Sequence, residues 1–411
     1  MFSLLRRNRD VRLVFGAQVV SYLGDWFTFV AFAGLVEDLT KSRFLVSLVL
    51  VSLTLPGFLM SAVAGSVADR FDRRRVLVAV SVLQAVAALG LLLVGTTGVW
   101  IGFVSQILIS GLASFVGPAT SAAVPNITDN DDDLRRANAL FGSTWGVMLA
   151  VGAALGGLVA STLGRNAAFV ADALSFVLAA ACFARVRRPM QSHDTQPTTA
   201  RRVRPMDDMR EALAIARQDK VILALICSKA TFAVGAGIVS QLAVLASNAF
   251  HVGDAGRGFL IGARGVGSGL GPIIGARIAG RDMARLLKVC GVAGLLFSAC
   301  YLGAALSPSI GIAAVCIALA HLSGGAQWTL STLGLQMESP DHVRGRVMAG
   351  DMALVNSMIS TTSILAGLVS QFAGVRTTIV IFACLAATAS TTYLSATTAL
   401  RRRLRTERPP G

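Results

Sequence analysis

Five charged side chains occur within otherwise apolar stretches of this 411-residue sequence: Asp25, Asp172, Lys229, Arg264 and Asp351. At the centre of a bilayer such a charge costs about 2.5–3.5 kcal/mol on insertion scales, so charges retained there commonly have a function. A carboxylic acid in apolar surroundings favours its protonated form and can take up and release a proton. A buried cation can bind an anionic group or form a static ion pair. The five residues therefore predict proton transfer or anion binding, with fixed ion pairs as the alternative.

Asp25 is the first candidate for proton transfer, because it lies midway along its apolar stretch. Its alternative role is a static ion pair with Lys229 or Arg264, and the sequence leaves both open. Arg264 precedes a stretch, 265–271, with glycine at every second position, which allows close helix contact or bending. It could bind an anionic substrate group, control Asp25 or act as a structural counter-ion. Asp351 lies about one turn inside its stretch and is expected near the membrane interface.

Other polar and aromatic residues in the apolar stretches could line a cavity: Gln18, Trp26, Gln241, Gln327 and Trp328. His321 stands alone, and we expect a hydrogen-bonded packing role for it. We find no P-loop for ATP, no cluster of metal ligands and no arrangement of a catalytic triad. The six cysteines all fall in apolar segments and read as small buried residues. The sequence predicts no enzyme, no metal and no cofactor.

The elements that must position these residues are membrane-spanning helices. The chain is 54% hydrophobic and 14% charged, with a mean hydropathy of +0.67, and residues 77–127 carry no charge at all. A helix needs about 20 apolar residues to cross a bilayer. We predict an all-α protein with twelve transmembrane helices, at 12–36, 44–68, 75–95, 98–122, 138–162, 166–186, 221–247, 255–277, 285–305, 309–334, 347–370 and 375–399.

The net charge of +15 reflects membrane topology rather than nucleic-acid binding. If the N-terminus is cytoplasmic, 30 Lys and Arg residues fall on the inner side of these spans and 5 on the outer side. This bias predicts a multi-pass protein of the inner membrane with both termini in the cytoplasm. The first apolar stretch has the length of a span and no cleavage site, so we expect no signal peptide.

Residues 187–220 form the only long polar segment between spans. We predict a cytoplasmic linker with a short amphipathic helix at 206–217. It divides the chain into a six-helix half at 1–186 and another at 221–400, followed by a basic cytoplasmic tail at 401–411. Two six-helix halves suggest a central path with a site near the bilayer midplane.

The connection after the second span carries a motif that resembles the signature loop of the major facilitator superfamily, G-x-x-x-D-R-x-G-R-R/K. Its residues are Gly65, Asp69, Arg70, Arg73 and Arg74. Asp72 departs from the pattern, which has glycine there. The resemblance implies that this loop latches the two halves of the transporter at the cytoplasmic side. A topological anchor of basic residues is the alternative.

A second motif in the fifth span includes Gly152, Gly156 and Gly157 and resembles the G-P-x-x-G-G pattern of the superfamily's exporters, with Ala153 in place of proline. Ordinary helix packing is the alternative. Four short segments, at 21–25, 137–140, 172–176 and 344–347, resemble the sequences of the drug/proton antiporter branch that includes macrolide-efflux and enterobactin exporters. This resemblance implies that the first span lines the transport path and that the sixth packs on the outside, which favours a static role for Asp172.

The sequence therefore predicts a secondary active transporter that exports an amphipathic small molecule, such as a drug or a siderophore-like metabolite, in exchange for protons. Its expected partners are the substrate, protons and membrane lipid, with no nucleic acid, and we expect a monomer. Two alternatives remain. One is an importer or uniporter of a metabolite or lysolipid, and the other is a membrane sensor or assembly partner that does not transport.

Overall fold

A computed structural model describes residues 2–191, 214, 217–279, 282–339 and 341–406. Every regular element in this part of the chain is a helix, and no strand occurs in it. The predicted all-helical fold is therefore confirmed for these residues. Most of the predicted amphipathic helix at 206–217 lies outside them, as do residues 407–411 of the predicted tail.

The α-helices are numbered in chain order. They are α1 (Phe2–Arg7), α2 (Arg9–Thr40), α3 (Arg43–Arg70), α4 (Arg73–Gly90), α5 (Val94–Thr97), α6 (Val99–Ile127), α7 (Asp131–Thr162), α8 (Arg165–Ala184), α9 (Lys220–Ala236), α10 (Leu242–Val244), α11 (Asp254–Ala279), α12 (Met283–Leu306), α13 (Ile310–Glu338), α14 (Asp341–Ala373), α15 (Val375–Ala396) and α16 (Thr398–Thr406). The chain is 3₁₀-helical at Leu91–Leu93 and Gly237–Gln241, and π-helical at Leu245–Ala249.

Short polar side chains set where several helices begin. The Asn8 side chain accepts hydrogen bonds from the backbone N–H groups of Asp10 and Val11, and Asp219 caps α9 in the same way. Such caps satisfy donors that the first turn leaves without partners. Because these caps lie outside the apolar runs, several helices extend beyond the predicted spans.

Glycine begins three other helices. Gly98, Gly164 and Gly374 directly precede α6, α8 and α15, with φ of 99°, 89° and 84° and ψ near 160°. This region of backbone conformation is essentially restricted to glycine. It reverses the chain within one or two residues.

The chain forms two compact units. The first consists of Met1–Lys41, Ser52–Val203 and Gly253–Gly258. In it, α2 packs against α7 and α8, and α4 packs against α6 and α8. One face of α8 exposes Leu174, Val177 and Leu178, as expected for a surface against lipid.

The second unit consists of Ser42–Val51, Arg204–Val252 and Phe259–Gly411. In it, α12 packs against α13 and α15, and α9 packs against α13, α14 and α15. The predicted division into six-helix halves remains a prediction, because the units take in short segments from across that boundary.

Eleven helical segments among the described residues are long and apolar enough to cross a membrane. The chain is therefore a multi-pass membrane protein. The predicted span at 255–277 is the helix α11, but α11 is not among the eleven. It carries Asp254, Arg257, Arg264 and Arg277, which lower its hydropathy.

Candidate functional site

Asp25 lines a cavity of about 360 Å³ in the first unit. The helices α3 and α6 supply the other walls, at Leu53, Gly57, Ile109, Ser110, Ala113, Ser114 and Pro118. The Asp25 side chain is partly exposed, and no basic group of the described part of its own unit lies within ion-pair distance. An acid with access to a cavity and no fixed cation can exchange a proton with whatever fills that cavity.

Asp172 lies next to Asp25 and is completely buried. Its carboxyl group accepts hydrogen bonds from the Thr28 hydroxyl at 2.6 Å and the Ser175 hydroxyl at 3.3 Å. It sits against the backbone of Gly24, where a Cβ atom would lie 2.3 Å from Asp172 Oδ1. The carboxyl groups of Asp25 and Asp172 are close enough for their charges to interact. One proton shared between two such groups relieves their repulsion.

The favoured sequence interpretation of Asp172 was a static pair, and the partners that the structure gives it are hydroxyl groups. The sixth span does present an apolar face outwards. Asp172, however, lies on the opposite face of α8, which packs against α2. Thr28 and Ser175 were missed by the sequence analysis, although Ser175 lies one helical turn from Asp172.

Lys229 and Asp351 form an ion pair in the second unit, and neither side chain is exposed to solvent. Asp351, which the sequence places about one turn inside its span, is thus buried among the helices of the second unit, and its depth in the membrane stays a prediction. Lys229 Nζ also lies 5.2 Å from the centre of the Trp328 ring, in a cation–π contact. Asp351 Oδ1 is buried without a hydrogen-bond partner. The carboxylate partner of Lys229 is thus Asp351.

Two of the predicted cavity residues are held inside the second unit by hydrogen bonds. Gln327 Nε2 donates to the Ser228 carbonyl at 2.5 Å and to Thr231 Oγ1 at 2.9 Å. Gln241 Nε2 donates to Ser47 Oγ at 2.7 Å. Both glutamines are fully buried, so they join helices to one another.

Gln18 and Trp26 lie on α2 in the first unit. Gln18 is partly exposed and donates to the Phe141 carbonyl at 3.3 Å. Trp26 is 5% exposed and packs edge-on against Phe29 and Trp145. Gln18 is not among the residues that line the Asp25 cavity, and Trp26 packs α2 against α7.

Arg264 lies on α11 in the second unit and is partly exposed. Its charge interacts with two buried residues, Tyr301 and His321. The Tyr301 hydroxyl and His321 Nε2 lie 2.7 Å apart, so a hydrogen bond joins them. This bond agrees with the expected packing role of His321, and Tyr301 was missed by the sequence analysis.

A group of ionised side chains in the first unit, which we call the Arg257 cluster, was also missed. Arg257 donates to Asp254 at 2.5 Å and to Glu37 at 2.7 Å. Arg165 donates to Asp254 at 2.7 Å and to Asp38 at 2.7 Å. Arg257 is only 3% exposed. The cluster ties the end of α2 and the start of α8 to the first turn of α11.

The glycines of the fifth-span motif lie where α7 touches its neighbours. A Cβ atom on Gly152 would lie 3.0 Å from Trp26 Cβ, and one on Gly156 would lie 2.8 Å from Phe27 Cα. A Cβ atom on Gly157 would lie 2.6 Å from the Asp254 carbonyl oxygen. The motif therefore permits close contact of α7 with both α2 and the first turn of α11.

The signature loop joins α3 to α4. Arg73 donates to the carbonyls of Ala122 and Met190 at 2.8 and 3.0 Å, and Arg74 donates to the Val186 carbonyl at 2.9 Å. These bonds fasten the loop to the ends of α6 and α8.

The other residues of the loop contribute less to that attachment. Arg70 ends α3 and is exposed, and Asp72 caps α4 through Arg75 N. Gly65 and Asp69 belong to α3, and what surrounds them is not among the described features of the chain.

Comparison with known proteins finds a family match over almost the whole chain and a curated relative over half of it. Residues 2–406 match the family described as transmembrane secretion effector. The tetracycline resistance protein, class C, of Escherichia coli is 27% identical over 214 residues, which is 51% of this chain and 52% of that protein. This match spans about half the length of that curated relative.

Solved structures with the same fold are more distant in sequence. A bacterial homologue of the human lysosomal transporter Spinster, in an inward-facing and unoccupied conformation, aligns over 98% of both chains with a TM-score of 0.74 and 14% identity. The nucleoside transporter NupG aligns over 94% of this chain and 99% of its own, with a TM-score of 0.70 and 15% identity. At identities this low, the likeness shows that the fold is shared and nothing more.

Proposed function

Because the chain belongs to the transmembrane secretion effector family of the major facilitator superfamily, we propose that it exports an amphipathic small molecule in exchange for protons. The predicted superfamily is confirmed, and the chain is a membrane transporter rather than an enzyme. The substrate, the direction of transport and the coupling ion belong to the proposal.

The observation that carries the proposal is the position of Asp25. This acid lines a cavity of the first unit, lacks a basic partner among that unit's described residues and interacts with the charge of Asp172. Asp172 in turn is held by the hydroxyl groups of Thr28 and Ser175. A proton that binds at Asp25 changes the charge of the cavity wall. Proton release and substrate binding therefore compete in the same space, which couples the two movements.

Export, rather than uptake, is supported by two observations. The fifth-span glycines make the close helix contacts that the exporter-like motif would require, at Gly152, Gly156 and Gly157. The curated relative is named for resistance to tetracycline. Resistance to a drug is consistent with its removal from the cell.

The proposed cycle is alternating access by two six-helix halves with twelve spans in total. The twelfth span is α11, whose 26 residues extend over about 39 Å, enough to cross the hydrocarbon core. The bias of Lys and Arg supports an inner-membrane protein with both termini cytoplasmic. We take the monomer as the transporting unit.

The test uses proteoliposomes with a pH-sensitive dye inside and tetracycline as the first of a panel of amphipathic drugs. We expect a drug gradient to drive proton movement, and a pH gradient to drive drug movement. Asp25→Asn keeps the size of the side chain and removes its proton exchange. We expect this variant to lose proton-driven transport.

Asp132→Asn is the matched control, because Asp132 is an exposed acid of the same unit. We expect this variant to transport as the wild type does. Drug export that persists after collapse of the proton gradient, and equally in Asp25→Asn, would refute the proposal.

A further inference from the structure

Arg264 is a partly exposed cation with a buried Nε atom, and it lacks an acidic partner in the described part of its unit. No carboxylate in the described part of its unit lies within ion-pair distance of its guanidinium group, and its Nε atom is buried without a hydrogen-bond partner. Lys229 in the same unit has Asp351, and Arg257 of the other unit has two acids. An uncompensated charge inside a membrane protein is costly, so a cation retained there is a candidate for binding an anion.

The position of Arg264 is fixed by direct backbone contact between α11 and α13. A Cβ atom on Gly267 would lie 2.1 Å from the Ala318 carbonyl oxygen, and one on Gly271 would lie 2.3 Å from the Leu322 carbonyl oxygen. These contacts begin one helical turn after Arg264, beside the turn of α13 that carries His321. The close contact holds the backbone that carries Arg264 against α13.

Aromatic rings extend from the Tyr301–His321 pair towards Trp328. The ring of Phe297 lies 4.8 Å from that of Tyr301 and 5.2 Å from that of Phe232, and Phe232 lies 6.1 Å from Trp328. Phe232 and Trp328 are both partly exposed, as Arg264 is. The unit therefore combines a free cation with apolar, aromatic surface.

We propose that Arg264 binds the anionic group of an amphipathic organic anion, and that Phe232 and Trp328 contact the apolar body of that molecule. The planar guanidinium group suits a carboxylate, sulfonate or phosphate, which it can bind through two parallel hydrogen bonds. The hydroxyl group of Tyr301, fixed by His321, adds a polar neighbour to the site. The inference rests on the proposed function, because it names the substrate class of that transporter.

The same chemistry occurs in a soluble aromatic acid and in the headgroup of an anionic lipid, so the experiment separates the two sources. Isothermal titration calorimetry on the full chain in phosphatidylcholine nanodiscs measures binding of 1-naphthaleneacetate and of its neutral analogue, 1-naphthaleneacetamide. The wild-type protein is expected to bind the acid at least ~10-fold more tightly than the amide, and a factor of ten is about 1.4 kcal/mol. A second set of nanodiscs contains phosphatidylglycerol as well.

Arg264→Gln is expected to remove this preference for the acid. Arg264→Lys keeps the positive charge but loses the planar guanidinium group with its two parallel donors, so we expect a reduced preference for the acid. Arg285→Gln removes an exposed arginine of the same unit and is expected to keep the full preference. If phosphatidylglycerol weakens binding of the acid only when Arg264 is present, the lipid headgroup also occupies the site.

The proposal is overturned if the wild type binds acid and amide equally, or if Arg264→Gln keeps the preference. Should Arg264→Gln fail to fold, an unchanged preference in Arg264→Lys overturns it as well. These measurements need no transport. If Arg264 binds the acid as expected but the protein shows no proton-coupled export, only the proposed function is refuted. If proton-coupled export occurs but the preference for the acid does not depend on Arg264, only this inference is refuted.

Discussion

The substitution Gly157→Ala tests the contact between α7 and the first turn of α11. Its Cβ atom would lie 2.6 Å from the Asp254 carbonyl oxygen and 2.8 Å from Gly258 Cα, whereas ordinary contacts begin at 3.4 Å. Both obstacles are backbone atoms, which cannot rotate away. The first turn of α11 must therefore move by about 0.8 Å to accommodate one methyl group.

That movement also affects the Arg257 cluster. The bonds from Arg165 to Asp254 and from Arg257 to Glu37 are both 2.7 Å long and join this turn to other helices, so a shift of this size stretches them towards the limit for a hydrogen bond. Overpacking costs about 1–3 kcal/mol, and a lost charged hydrogen bond costs about 1.5–3 kcal/mol. The better helix propensity of alanine returns about 1 kcal/mol. The expected loss in the free energy of unfolding is therefore about 1.5–5 kcal/mol.

The measurement is the free energy of unfolding in mixed micelles, obtained from far-UV circular dichroism as dodecyl sulfate is added. Gly142→Ala is the control, since Gly142 lies in the same helix and a Cβ atom there meets nothing within 4 Å. This control is expected to gain about 0.5–1 kcal/mol of stability. Equal stability of the two variants would show that the close contact at Gly157 is not as described.

Three further predictions concern other parts of the chain. Lys229→Met leaves Asp351 unpaired and should cost about 3–5 kcal/mol, most of which the double variant with Asp351→Leu should restore, as measured by the same unfolding titration. Arg188 holds the pKa of Asp129 below its ordinary value of 3.8, so the pair stabilises the fold at neutral pH and this contribution is lost as the pH falls through the lowered pKa; Asp129→Asn should flatten the acid side of a stability–pH curve. Gly98→Ala should lower the free energy of unfolding by about 1–3 kcal/mol, because alanine is strained at a φ of 99° although nothing lies within 4 Å of its Cβ position. Thermal unfolding measures this loss, and an unchanged stability would show that the turn is not strained.

The apolar runs predicted the helices well and their ends less well. The first predicted span was 12–36, and the helix is Arg9–Thr40, because the Asn8 cap rather than the apolar run sets its start. The ninth begins at Met283, next to the cap of Asp282, instead of at 285. Hydropathy detects which residues contact lipid, and a helix continues past that layer.

The candidate site was predicted by residue type but not by partner. Lys229 and Asp351 are 122 positions apart, and Arg257 and Glu37 are 220 apart. No local pattern links such distant residues. Asp351 was judged by its distance from the end of a predicted span, whereas its burial depends on the side of α14 that it occupies.

The motif in the fifth span left open what its glycines contact. The pattern of small residues predicted a close approach of helices, and the structure identifies α2 and the first turn of α11 as the neighbours. Arg257 lies at the edge of the predicted span 255–277, and its sequence position gave it no role. Its burial follows from acids contributed by α2 and α11, which a linear pattern does not bring together.

The glycine turns before α6, α8 and α15 have a consequence for how the protein enters the bilayer during synthesis. Each turn leaves one or two residues between two helices, so we expect both helices to insert together as a hairpin. The orientation of such a hairpin is decided once, at its open end. Arginines lie at the open end of each hairpin, at 73–75, 185–188 and 344–346, and we expect them to orient its two helices together.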